Sequence, residues 1–148
     1  MSRKLPALNA ENSHFWQGGE RGELLIYHCT PCDRFFHPPA PVCPHCASFD
    51  VTPRPVSGKG KVLSFTINHQ QWIPNLEVPY VVAIVELSDQ PGLQFVSNII
   101  GCPPDEVRID MPVSVTFMQI EDIWLPLFQM DKDVPTKNIN NDANKARQ

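Results

Sequence analysis

The sequence predicts a mostly β protein, with a short N-terminal helix, a small four-cysteine metal-binding unit and then a small closed barrel of five strands. Three observations predict it. Two CxxC pairs, Cys29–Cys32 and Cys43–Cys46, stand ten residues apart. Five short stretches rich in β-branched and aromatic residues follow between Lys61 and Met130. Proline supplies 16 of 148 residues and glycine only 7, a stiff and often interrupted chain in which long helices are nearly excluded.

Asn9 to Gln17 reads as the helix: Asn9 can cap it, Glu11 falls in the first turn where the dipole favours an acid, and Gly18-Gly19 stops it. Phe15 and Trp16 form its buried face or a partner contact. Leu24-Leu25-Ile26-Tyr27 is a brief strand entering the first cysteine pair, and a passage with Pro38, Pro39 and Pro41 leads to the second. Pro53, Pro55 and the turn Gly58-Lys59-Gly60 read as a joint. Beyond it lie the five strands: Lys61 to Asn68, Tyr80 to Leu87, Leu93 to Ile100 after the turn Ser88–Gly92, Met111 to Ile120, and Trp124 to Met130. Five short strands with proline near their ends suit a closed barrel better than an open sheet with exposed edges. The chain therefore divides into an N-terminal helical segment (1–23), a metal-binding unit (24–56), a barrel (57–130) and a disordered polar tail (131–148), whose composition cannot offset its ordering entropy.

Charge narrows the function classes. Between Lys59 and Met130 three basic residues face eight acids, a net charge of −5 against −4 for the whole chain. Such a barrel repels a phosphate backbone, so its aromatics (Phe65, Tyr80, Phe95, Phe117, Trp124, Phe128) read as core and not as base-stacking platforms. No apolar run is long enough to cross a bilayer and the N-terminus lacks an apolar leader, so the expectation is a cytoplasmic protein without membrane or nucleic-acid partners.

The cysteine pattern carries the chemistry. Two residues between cysteines let one tight turn aim both thiolates at a single ion, and two such turns make a tetrahedral shell at about 2.3 Å. Zinc bound by Cys29, Cys32, Cys43 and Cys46 is the first expectation, and with four protein thiolates it is structural. Iron suits the same shell; disulfides and a redox CxxC are the other readings, disfavoured by the expected compartment and by the Pro-rich setting. His28, His37 and His45 lie nearby as second-layer or exposed groups. Cys102, at the end of an apolar strand, is either a thiol needing a base such as His69 or a small buried hydrophobe, and the second reading is preferred. The loop His69-Gln70-Gln71-Trp72 is either a partner loop or one pinned by a buried tryptophan. No phosphate loop and no Ser-His-Asp order is present.

These residues, in the order Phe15-Trp16, Gly22-Glu23-Leu24, the two CxxC pairs, Pro38-Pro39, Val56-Ser-Gly58-x-Gly60, Ser64-Phe-Thr66, Pro79-Tyr80, Gly101-Cys102, Val107-Arg-Ile109 and Met111-Pro-Val113, closely resemble the family catalogued as domain of unknown function 35. The likeness runs from about residue 11 to 130, with Asp110 in place of a usual glycine. It implies an N-terminal helix, a rubredoxin-like zinc ribbon and an OB-fold barrel, with the four cysteines as zinc ligands. It also implies acyl-CoA metabolism, because family members are commonly small subunits of thiolase-superfamily enzymes.

The function expected on that basis is a non-catalytic accessory subunit that forms a hetero-oligomer with a thiolase or a lipid-transfer-protein-like aldolase. A coenzyme A thioester at a shared site is a candidate ligand, its phosphates met by Arg54, Lys59 and Lys61. Phe15, Trp16 and Trp72 are the expected contact points. A stand-alone acyl-CoA or fatty-acid binder is the alternative, and a single-strand nucleic-acid binder a weaker one.

Overall fold

A computed structural model describes residues 3–133. Chain order is a helix α1 (Ser13–Gln17) running into a 3-10 turn (Gly18–Arg21), then β1 (Leu24–Cys29), β2 (Arg34–Phe36), β3 (Val51–Val56), β4 (Lys59–Asn68), β5 (Tyr80–Leu87), β6 (Gln94–Ile100), a 3-10 turn at Pro104–Glu106, β7 (Pro112–Ile120) and β8 (Ile123–Met130). The expected polar tail lies almost wholly outside the described residues. Its first member, Asp131, is buried.

β1 is the centre of a three-stranded antiparallel sheet in the order β2-β1-β3, which forms the ribbon. β4 to β8 close a barrel in the order β4-β5-β6-β8-β7, with β7 returning to β4. Only the β6–β8 pair is parallel, at Ile99↔Phe128 and Ile100↔Gln129. The barrel is thus a mostly antiparallel ring with no free edge. Alternation explains its strands: Val81, Ala83, Val85 and Leu87 of β5 point inward while the residues between them face out. In β4 the register slips between Val62 and Ser64, a bulge at Leu63; Gly60 to Asn68 pair with β5 along one side, and Lys59 to Lys61 pair with β7 along the other.

Three local expectations change. The α-helix ends before Gly18-Gly19 as expected, but it begins at Ser13 and not at Asn9, and the chain runs on in a 3-10 turn that ends at Gly22, whose φ of 71° suits glycine. Gly19 also has a packing reason: a Cβ there would lie 2.5 Å from the Trp124 Cβ, so this glycine lets the turn approach the barrel. Asn9 is not the N-cap, which is Asn12; its Oδ1 accepts from the backbone of Glu11 and Asn12 in the turn that precedes the helix. Second, Pro53 and Pro55 belong to strand β3, paired with Tyr27 and Leu25, and not to a loop joint. Being two apart, both present their missing N–H to the same edge, the one turned away from β1. Val51 N–H on that edge bonds locally to the Phe49 carbonyl.

Third, Phe15 is not an exposed contact. It is 5% exposed and sits in one continuous core with Leu24 and Ile26 of β1 and the inner residues of the barrel. Its ring meets Phe95 edge-on at 6.2 Å, and Phe95 meets Phe128 at 5.4 Å. A second, smaller cluster holds Cys29, Phe36 and Cys43. The two parts are also clasped by one side chain: Gln90, in the β5–β6 turn, accepts from the Phe35 backbone N–H at 2.8 Å and donates to the Phe35 carbonyl at 2.9 Å. Beside it Asp89 accepts from the Ser57 backbone and hydroxyl.

Candidate metal centre

Cys29 ends β1, Cys32 follows it in the turn to β2, and Cys43 and Cys46 form the turn before β3. The four sulfurs all lie within 4.8 Å of one another, with Cys29–Cys46 at 3.5 Å and Cys32–Cys43 at 3.7 Å. A tetrahedral ion with sulfur bonds of about 2.3 Å sets its ligands about 3.8 Å apart, so the cluster has the size zinc needs. The two turns are built alike: the residue after each second cysteine, Asp33 at φ 52° and Ala47 at φ 62°, takes the left-handed conformation. The sequence carries no glycine at either place, so neither turn residue announced itself.

The electrostatics favour a cation. Burial raises the Cys43 thiol, but N–H groups of Cys46 and His45, together with the thiols of Cys29 and Cys32, more than offset it and bring it down to about 7. Burial and the neighbouring sulfurs push Cys32 up to about 12. Without an ion, one thiolate at Cys43 makes the next unfavourable; a divalent cation removes that conflict. Four thiolates leave no position for substrate, and the centre is suited to holding the ribbon together.

The histidines take different roles. His28 is buried and its Nε2 lies 2.8 Å from Asp33 Oδ1, tying β1 to the residue that closes the first turn. His37 is packed between Phe15 and Phe95, where burial lowers its pKa. His45 is exposed, with its backbone N–H on the Cys43 sulfur.

The three cations are scattered. Lys59 binds Asp131 at 2.7 Å, an interaction that raises the lysine pKa and lowers the acid's. Lys61 lies 3.7 Å from Glu86 and 3.9 Å from Asp110. Arg54 is exposed on β3 and has no acidic partner among the described residues. Cys102 packs against the core, and burial followed by Glu106 and Asp105 pushes its thiol up, opposite to what a nucleophile needs. Trp72 is 74% exposed and therefore does not pin its loop, while Ile73 and Val78 beside it are also open to solvent.

A cleft of about 910 Å³ is the feature the sequence did not announce, because its walls come from four separate parts of the chain: the N-terminal segment, the Pro38–Pro41 passage, β6 and β8. Among the described residues, no helix is long and apolar enough to cross a membrane.

Two family models match the chain in succession and meet within β3. Residues 16–52 match the family described as "ChsH2, rubredoxin-like zinc ribbon domain", and residues 53–118 match "ChsH2, C-terminal OB-fold domain". A "DUF35 domain-containing scaffold protein" of Methanocaldococcus jannaschii is 32% identical over 107 residues, covering 70% of this chain and 73% of that one. The chain belongs to the DUF35 family. The "Probable enoyl-CoA hydratase alpha subunit" of Thermomonospora curvata is 38% identical over 128 residues. The match takes in 86% of this chain and only 40% of that relative's length. Among solved structures, a chain of the "Ltp2-ChsH2(DUF35) aldolase" superposes with a TM-score of 0.77 at 37% identity, covering 85% of this chain and 98% of that one. The DUF35 ribbon and barrel found here are therefore those the resemblance implied.

Proposed function

We propose that this DUF35 protein is a non-catalytic accessory subunit of an acyl-CoA-processing enzyme, binding a thiolase-superfamily partner, either a thiolase or a lipid-transfer-protein-like aldolase, and supporting its assembly. The observation that carries the reading is the match to the DUF35-bearing aldolase, which extends over 98% of that chain. The chemistry is consistent with it: the four-thiol centre has no open ligand position, and the Cys102 thiol is raised and packed against the core. The partner supplies the catalytic groups.

The loop at Trp72 is the proposed contact in place of Phe15, since an exposed tryptophan flanked by Ile73 is the residue type that anchors interfaces. For coenzyme A phosphates, Arg54 is the first candidate, because Lys59 and Lys61 would each have to leave an acid. Co-expression with a thiolase-superfamily enzyme encoded beside it, followed by purification through the partner and native mass measurement, tests the proposal. A hetero-oligomer is expected, weakened about tenfold or more by Trp72→Ala; failure of the two chains to co-purify would overturn it. In the alternative reading the isolated chain carries acyl-CoA by itself, and micromolar binding of an acyl-CoA without any partner would favour that.

A further inference from the structure

We infer that the cleft beneath the N-terminal segment is a binding site for a small apolar carboxylate, with Arg3 as its anion receptor. Three independent observations converge there. The cleft measures about 910 Å³, within the range of small-molecule sites, and its wall is mostly apolar, including Trp16, Pro39 and Leu125. Its floor includes Val96, a mid-strand valine of β6 left 65% exposed, an apolar surface that a ligand's hydrocarbon would cover.

At one end stands the Arg3 guanidinium, whose one hydrogen bond among the described residues runs from Nη1 to Asn98 Oδ1 at 3.0 Å. Asn98 is itself fixed, its Nδ2 donating to the Val81 carbonyl at 2.8 Å, so that its oxygen can only face the arginine. The Arg3 Nε is enclosed by the protein and has no acceptor among the described residues, so contact with a ligand in the cleft falls to the Nη groups. A guanidinium held in place by Asn98 presents a charged, planar fork that matches the two oxygens of a carboxylate. Glu11 also lines the cleft, so a singly charged headgroup is favoured over a phosphate or the polyanionic coenzyme A. The site therefore selects a free acid over its CoA ester. It acts in the isolated chain and does not depend on the accessory role, so either proposal can fail alone.

The test is a calorimetric titration of the full metal-loaded chain with decanoate kept below its micelle-forming concentration, together with the Trp16 indole signal in NMR. Saturable binding that moves that signal is expected, weakened about tenfold by Arg3→Gln and by Val96→Asn, and unchanged by Lys132→Gln, an exposed position outside the cleft lining. Decanol and decanoyl-CoA should bind at least tenfold more weakly. The inference is overturned if decanoate does not bind at millimolar concentration, if Arg3→Gln binds it equally well, or if decanol or the CoA ester binds as tightly as the acid.

Discussion

The ribbon and the barrel solve the same stability problem in opposite ways. The barrel buries residues from all five strands around Phe128, which is fully enclosed. The ribbon's own cluster contains Cys29, Phe36 and Cys43, two of them thiols. A three-stranded sheet of that size cannot hide enough apolar surface to offset chain entropy, so a metal must supply what side chains do in the barrel. What belongs to both is the seam, made by Phe15, Leu24, Ile26 and the Gln90 clasp.

Metal removal should have the largest effect and is confined by this contrast. Structural zinc contributes about 10–16 kcal/mol in zinc-finger peptides, so Cys43→Ser or chelation should release one ion and unfold β2 and the cysteine turns. Hydrogen exchange should then show β5 and β7 amides still protected. Loss of protection in every strand at once would mean that the ribbon and barrel form one cooperative unit. Phe128→Ala comes next, at about 3–5 kcal/mol measured by urea unfolding. It should leave the bound metal in place under native conditions, which metal analysis of the folded variant checks.

The seam itself is expected to be weaker. Gln90→Ala removes two hydrogen bonds to Phe35 and leaves its backbone groups to find water, at about 1–2 kcal/mol. The sharper readout is a faster metal loss to a chelator, because β2 is no longer held against the barrel.

The smallest effect lies wholly in the barrel, at Lys59–Asp131. Hydrogen bonding to Lys59 lowers the Asp131 pKa, so the stability this acid contributes is present above the ordinary carboxylate range and fades as pH falls through its depressed value. The Lys59 pKa is raised, so its share is lost only as pH rises beyond the ordinary lysine range. Asp131→Asn should flatten the acid limb of the barrel's stability profile and leave the ribbon's metal affinity unchanged, as parallel titrations would show.

The same contrast governs what could be read from sequence. Barrel strands such as Tyr80–Leu87 and Trp124–Met130 were legible to within a residue, because a short run of β-branched and aromatic residues bounded by turns is a property of the strand's own sequence. The CxxC spacing exposed the metal centre for a similar local reason. β2 is three residues long and shows no alternation, and β3 carries two prolines whose shared edge becomes evident only once β1 is beside them. The role of Phe15 was set by Phe95, eighty positions away, and the use of Gln90 by the Phe35 backbone, 55 positions away. The cleft was invisible for the same reason: Arg3 gains its meaning from Asn98.

The Phe15–Phe95–Phe128 chain of rings also dictates a timetable. Helix α1 completes its packing only when β6 and β8 join β1 around it, and β6 gains its parallel neighbour only when β8 arrives. During synthesis the apolar side of residues 13–17 must therefore wait, without its final cover, until Ile123–Met130 has left the ribosome. Translation can finish the metal turns early, but the ring of barrel strands is completed by β8.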